Sequence, residues 1–426
     1  MSRFLDGHAG VLGRLALRNV RRQGRRSILT SLAMVVGIGL LVFSRSMADG
    51  GHEDWIDAGV RLGSGHVTIQ SPDFATRRTL AERLSPTDLE AALAAVSDVG
   101  REGGILETAT RLEVRGLASS PGGALPVVVA GVEPDVESRF SQLDERLIDG
   151  EYLPDGDELA AFVGVDLAER LDLQLGSRLV LTGQDAAGDI SGQLVRVRGI
   201  FRSGLPEVDT RIVHVRLGIA RDWLGAEGSA TSVALLLESS SLVDRSARRL
   251  GQLLADVPGA DVLTWPEAMP ELEAAVRMDD FGDYVFHIIT LIIVALAVIN
   301  TILMSVLNRT REFGVTRALG MTRRDTGAQV MIEGVLLSAV SGFVGIVLGL
   351  AVTWVFFRNG LDFSGLMENG MEAAGVIIDP VIYPKFRLPT LLGSVGFVFA
   401  IGVGASIYPA YRATRIEVAE AMKFEA

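Results

Sequence analysis

Four stretches of the chain lose their charged residues over lengths that suit a helix crossing a bilayer. A hydrocarbon core of about 30 Å needs about 20 apolar residues in helical form. Ile28 to Ser44 is 17 residues without a charge, flanked by Arg25, Arg26 and Arg45, whose stems can lie along an apolar helix while the guanidinium stays wet. Tyr284 to Asn308 has 25 residues without Asp, Glu, Lys or Arg, Gly334 to Phe357 has 24, and Leu388 to Tyr411 has 24. The pattern predicts four transmembrane helices, at 28–45, 284–308, 330–357 and 388–411. The first is read as a retained span. Ser46-Met47-Ala48 has the small residues of a cleavage site, but 27 residues make a long basic region for a leader.

Between the first two spans the pattern changes. Gly65–Gln70 alternates like a strand, and Leu112–Arg115 and Val127–Ala130 are strand-like. Pro86 to Val96 has helical spacing, with Ser85 or Thr87 as a cap. Beyond a change in composition near Gly131–Pro134 follow a helix (Asp166–Leu171), a turn at Gly176 and strands at Arg178–Thr182, Gln193–Phe201 and Thr210–Val215. Thr231–Leu237 is a strand, Ser241–Leu254 a helix and Asp261–Trp265 a last strand. The mixture predicts an α+β domain over 46–283 with a second, β-rich lobe inserted in it.

Charge orients the spans. Residues 1–27 carry seven arginines against Asp6, and 309–325 carry five against Glu312 and Asp325, whereas 358–387 carry three basic and four acidic residues. By the positive-inside rule both termini (1–27 and 412–426) and the 309–329 loop are cytoplasmic, and 46–283 and 358–387 lie outside. Counted from Arg45 to Asp283, the outer domain holds 22 Arg and 41 Asp plus Glu, a net of −19, which speaks against nucleic acid as a partner. The chain as a whole has a mean hydropathy of +0.34. It has no cysteine, which excludes disulfides, thiolate catalysis and a lipidated N-terminal Cys.

Catalytic chemistry is not legible. The five histidines (His8, His52, His66, His214, His287) show no metal-ligand spacing, and His52-Glu53 lacks the second His of a zinc-protease helix. Asp135, Glu137, Asp144 and Glu145 are scattered acids without metal-loop spacing. No Gly-rich phosphate loop ends in Lys-Ser/Thr, and the two lysines, Lys385 and Lys423, cannot supply one. Cofactors and metals are therefore expected to be absent from this chain, and a membrane-anchored enzyme is set aside. Within the spans the polar groups are few, namely His287, Asn300 and Glu333, too few for a proton-coupled carrier. Small residues recur at ridge spacing instead, with Ser341, Gly345 and Gly349 in the third span and Gly396, Ala400 and Gly404 in the fourth, which predicts close helix packing.

Asn308 to Arg324 (NRTREFGVTRALGMTRR) reads as a short amphipathic helix with Phe313, Ala318 and Leu319 among its apolar positions, stopped by Gly320. This stretch resembles the coupling-helix motif of FtsX-like, MacB-type ABC transporter permeases. Tyr408–Met422 is similar to that family's closing motif, departing from it at Val418, where the family has Pro. Leu17–Val20 with Arg25–Thr30 resembles its entry to the first span. Gly164–Leu171 with Leu175-Gly176 resembles its periplasmic motif, with Ser177 in place of Asp. Gly37–Phe43 and Ser64–Ile69 carry the likeness closest to lipoprotein-releasing (LolC/LolE-like) permeases.

The resemblance implies a permease in a bacterial inner membrane that couples a separate cytoplasmic ATPase, in two copies and itself holding the ATP and Mg²⁺, to movement of the outer domain. It implies a second permease chain, lipid-anchored cargo and a periplasmic carrier or adaptor. It also implies a Porter-like lobe at 50–130 and 226–275 and a Sabre-like insert at 131–225. The residues it assigns to the ATPase contact are Arg309, Arg311, Glu312, Gly314, Arg317, Ala318, Gly320, Arg323 and Arg324. Two further roles in the family are open to such a chain: an efflux subunit acting with a periplasmic adaptor, and a signalling permease, whose outer domain is usually much smaller.

Overall fold

The computed structural model describes residues 24–204, 206–362, 371–373, 376–378 and 381–416. The expected N-terminal segment up to residue 23 and the tail from residue 417 lie outside the described residues. Among the described residues, those up to His52, Met278–Asp362 and those from Val381 on form a helical unit, and Glu53–Arg277 with 371–373 and 376–378 form a β-rich one. Helix α1 (Gly24–Leu62) is the first described element. Its 39 residues make about 58 Å, roughly twice the hydrocarbon thickness. The charge-free run thus marks only part of the helix, which continues past Arg45 because no proline interrupts it.

The β-rich unit begins with β1 (Val67–Gln70), helix α2 (Pro86–Gly100) and β2 (Ile105–Ser120). Next come β3 (Gly123–Val132), β4 (Leu147–Gly150), β5 (Ala160–Gly164), β6 (Arg178–Gln184), β7 (Ile190–Phe201) and β8 (Ile212–Arg216). It closes with β9 (Ser232–Leu237), helix α3 (Val243–Leu253) and β10 (Asp261–Thr264). Strands β4 and β5 were not expected. The strand expected from Thr210 starts at Ile212, because Pro206–Arg211 forms a short helix.

Strands β10, β1, β9 and the first half of β2 form an antiparallel sheet. Helices α2 and α3 cover one face of it with Leu89, Val96, Val243 and Leu250. The sequence starts α2 where expected, since the Ser85 hydroxyl accepts from the Asp88 backbone N–H at 3.2 Å and Pro86 occupies the first turn. All six residues of β9 are buried, because Val60, Phe140 and their neighbours cover the other face.

The second half of β2 belongs to a different structure. It pairs with β3 on one edge (Leu112↔Gly131 to Ser120↔Gly123) and with β6 on the other (Gly116↔Gly183 to Ser119↔Val180). The ladder continues from β3 to β8, β5, β7 and back to β6, so six strands close into a barrel. Alternate positions fill it: Val114, Ala118, Val129, Val163, Leu179, Leu181, Val195 and Val213 are buried in one cluster, so the barrel has a packed core rather than a channel. Where β2 and β6 meet, a Cβ on Gly116 would run into the Thr182 backbone, 3.1 Å from the carbonyl carbon, and no side chain fits there. The lobe boundary expected near residue 131 coincides with the end of β3, but β2 changes partner earlier, between Arg111 and Gly116.

That change of partner is pinned by buried polar groups. The Thr231 hydroxyl donates to the Arg111 carbonyl at 3.0 Å and accepts from the Glu113 N–H at 2.8 Å, replacing the interrupted ladder. The Arg111 guanidinium, 6% exposed, donates to both oxygens of Glu137 at 2.9 and 2.7 Å, donates to the Gly63 carbonyl, and stacks on Phe140. Beside it, Tyr152 lies 3.3 Å from His214 Nδ1. Burial pushes the Tyr152 phenol well above its usual range and the His214 imidazole down to about 4. Both groups are therefore neutral, and the hydrogen bond between the Tyr152 hydroxyl and His214 Nδ1 joins two uncharged partners.

The helical unit consists of α1 up to His52, most of α4 (Pro270–Asn308), then α5 (Thr310–Ala318), α6 (Arg323–Phe357) and α7 (Leu388–Thr414). Among the described residues, α1, α4 and α6 are long and apolar enough to cross a membrane. Helix α7 has 27 residues, about 40 Å, with no charge before Arg412. A two-stranded ladder, Leu361–Asp362 with Val381–Ile382, lies between α6 and α7.

Candidate functional site

The local sequence fixes α5 at both ends. At its C-terminus Gly320 takes a φ of +107°, with its N–H bonded to the Arg317 carbonyl at 3.1 Å and the Met321 N–H to Thr316 at 3.1 Å. This paired 6→1 and 5→2 pattern is a Schellman stop, which needs a residue free to adopt positive φ. Two residues on, Thr322 and Asp325 form a reciprocal capping box that starts α6. The hinge between α5 and α6 therefore has almost no slack.

The inner face of α5 is anchored twice. Phe313 is buried in a cluster with Val298, Ile302, Val306, Val330 and Ala413, joining α4, α6 and α7. Arg309, 6% exposed, stacks on the Phe313 ring and donates to Glu333 at 2.7 Å and to Glu312 at 3.0 Å. Arg317 donates to the Ile416 carbonyl, tying α5 to the end of α7. An arginine taken out of water is held in place only by such partners, because an unpaired buried charge is costly.

The outer face is different in kind. Arg311, Glu312, Val315, Thr316, Ala318, Leu319, Gly320, Arg323 and Arg324 are exposed, and Leu319 is 83% so. The sequence-predicted set thus splits. Arg311, Glu312, Ala318, Gly320, Arg323 and Arg324 face outward and Arg317 is half-buried, whereas Arg309 and Gly314 are buried and form no part of that surface. For Arg309 the reason is Glu333: a lone acid at the start of an apolar run draws a cation from across the loop. Val315, which was not in the predicted set, is also exposed (42%) and lies on the same side as Ala318 and Leu319.

Helix packing also divides. Ser341, Gly345 and Gly349 are buried, and a Cβ on Gly349 would lie 2.9 Å from the Gly39 carbonyl oxygen while one on Gly345 would lie 2.9 Å from the Ile38 Cβ. This ridge packs α6 on α1. The α7 ridge does not behave as expected: Gly396, Ala400 and Gly404 are exposed, and a Cβ on either glycine would meet nothing within 4 Å among the described residues. The contact between α6 and α7 uses Gly334 and Ser338 against Gly402 and Ser406, where a Cβ on Gly334 would sit 2.8 Å from the Ser406 Cβ.

Known proteins match along the whole chain. The model of the MacB-like periplasmic core domain matches residues 27–253, more than half of the chain, and that of the FtsX-like permease C-terminal matches 284–418. The uncharacterized ABC transporter permease YknZ of Bacillus subtilis is 24% identical over 97% of this chain and 98% of its own length. The lipoprotein-releasing system transmembrane protein LolC of Xylella fastidiosa is 25% identical over 70% of this chain and 73% of its own. The macrolide export ATP-binding/permease protein MacB of Brucella melitensis is 26% identical over 83% of this chain and 55% of its own. Among solved structures, the extracellular domain of YknZ from Gram-positive bacteria aligns with a TM-score of 0.33 at 16% identity, covering 46% of this chain and 98% of that one. The chain belongs to the ABC transporter permeases in which a MacB-like periplasmic core domain is joined to an FtsX-like permease C-terminal region.

Proposed function

We propose that this chain receives the stroke of a separate cytoplasmic ATPase on α5 and uses it to move its outer domain, releasing lipid-anchored protein from the inner membrane. In this reading α1, α4, α6 and α7 supply four spans, both termini and α5 are cytoplasmic, and residues 46–283 are periplasmic. The Porter-like lobe is the sheet with α2 and α3, the Sabre-like lobe is the barrel, and they divide within β2. A second permease chain and two ATPase subunits complete the assembly.

The observation that carries the reading is the outer face of α5. It offers apolar contact at Val315, Ala318 and Leu319 inside a ring of charge, on a helix that Gly320, Thr322 and the Arg309–Glu333 pair hold rigid. A helix that exposes leucine while its other face is pinned is built to be pushed. The match to a lipoprotein-releasing protein supports the cargo class. The match to MacB keeps efflux with a periplasmic adaptor as the alternative.

The test is co-purification with the ATPase of the same operon. Leu319→Asp is the informative variant, because the Leu319 side chain is 83% exposed, whereas Glu312 also serves Arg309. Loss of the complex and of its ATP hydrolysis is expected, with a thermal midpoint equal to wild type. An intact, active complex would remove α5 from the contact. Release of a lipoprotein from proteoliposomes on addition of ATP and a carrier separates the cargo reading from efflux.

A further inference from the structure

A groove in the β-rich unit has no part in the α5 contact. Its volume is about 850 Å³, within the range of roughly 300–1,000 Å³ common for ligand sites. It lies between the outer faces of β2 and β3, the end of α1, residues 208–211 and the first turns of α4. Leu62, Val128 and Leu272 line it and are half-buried. Arg78, Arg115 and Arg211 line it and are exposed, against a single acid among the described residues, Glu271.

The placement follows from strand register. With Val114 turned into the barrel, Arg115 points out, and it stands directly across from Val128 in the β2–β3 ladder. Facing residues on such a pair lie about 5 Å apart, so a guanidinium is set beside an apolar patch by the backbone itself. None of the three arginines forms an ion pair among the described residues, in a domain of net charge −19 where most other arginines do. Three cations without an ion pair among the described residues, set around one apolar trough, call for a ligand with an anionic head and a hydrocarbon body. An acidic peptide leaves the trough unfilled, and a neutral chain leaves the cations unanswered.

We infer that this groove binds a single-chain anionic amphiphile, its acyl chain along Leu62, Val128 and Leu272 and its phosphate among Arg78, Arg115 and Arg211. The inference is independent of the ATPase contact and of the cargo proposed above.

The probe is palmitoyl-lysophosphatidylglycerol with a photoreactive group in its chain, applied to the full chain in phosphatidylcholine nanodiscs, with labelled peptides identified by mass spectrometry. Peptides containing Val128 and Leu272 should be labelled. That labelling should fall about tenfold in Arg78→Gln/Arg115→Gln/Arg211→Gln, and the triple Lys variant should keep most of it. Labelling of the spans should not change, which guards against a general loss of protein or probe. Labelling confined to the spans overturns the inference, as does equal labelling in the Gln variant or equal competition by lysophosphatidylcholine. Competition by glycerophosphoglycerol alone, matching the intact lipid, reduces the groove to a phosphate site and overturns the acyl part. Stronger competition by an acidic peptide assigns the arginines to a protein partner instead.

Discussion

At the scale of single residues the β-rich unit contains an ionic group that works only because each partner is complete. Arg111 has two carboxylate oxygens, a backbone carbonyl and an aromatic face; Glu137 and Phe140 are buried with it and Gly63 is half-buried. Next to it His214 is the group whose burial costs most on protonation. Its folded-state value of about 4 lies below the 6.5 of the unfolded chain, so between these values the unfolded state binds the extra proton. The stabilising contribution is complete above about pH 6.5, declines as pH falls, and is gone below about pH 4. A shift of this size corresponds to about 3 kcal/mol as an upper bound. His66 is lowered too, chiefly by burial, and adds in the same direction. His214→Gln should therefore flatten the acid limb of a thermal-midpoint profile between pH 7 and 4. A variant with the same slope as wild type would show that the imidazole is already charged in the fold.

At the scale of elements, the helix contacts separate what a pattern can and cannot tell. Gly349→Leu should force α1 and α6 apart, because the nearest atoms belong to the Gly39 backbone and cannot turn aside. A loss of 1–3 kcal/mol or more is expected from overpacking of this kind. Gly396→Leu should leave the isolated chain unchanged, since the space there is open. Equal thermal midpoints for the two variants would contradict the packing described. Both ridges were legible as small residues four apart, but α7 carries two such rows, Gly396/Ala400/Gly404 and Gly402/Ser406/Ala410, and spacing alone does not choose between them. Most strands were legible for a similar reason, since one face alternates. The five residues of β5 are buried on both faces and show no alternation, and β4 is four residues long and largely exposed, so neither stood out. Barrel closure left no local trace, because β2 and β6 meet across about 60 residues of chain. The reach from Arg309 to Glu333 was hidden in the same way, as the arginine looked like one more positive charge in a cytoplasmic loop.

At the scale of the whole molecule, the shared strand makes sheet and barrel a single cooperative body within the β-rich unit. Opening the barrel removes partners from Leu112–Ser120, and opening the sheet removes them from Ile105–Arg111, in one continuous strand with Arg111 and Thr231 at its midpoint. Amide hydrogen exchange should accordingly give one slowest class that includes both halves of β2, β9 and β3, with a common dependence on denaturant. Two separate global openings, one for residues 105–111 with β9 and one for 112–120 with β3, would show that the lobes unfold independently.

Tension along β2 acts on this geometry in a particular way. Its cross-strand bonds run perpendicular to the pull, so they are loaded in shear and must stretch together rather than open one after another. The strand thereby joins sheet and barrel as one link, and the register shift between Ile105 and Glu107 marks the place at its sheet end where the ladder is least regular. Because the barrel is filled with side chains, its outer wall is the surface it leaves to a ligand or partner.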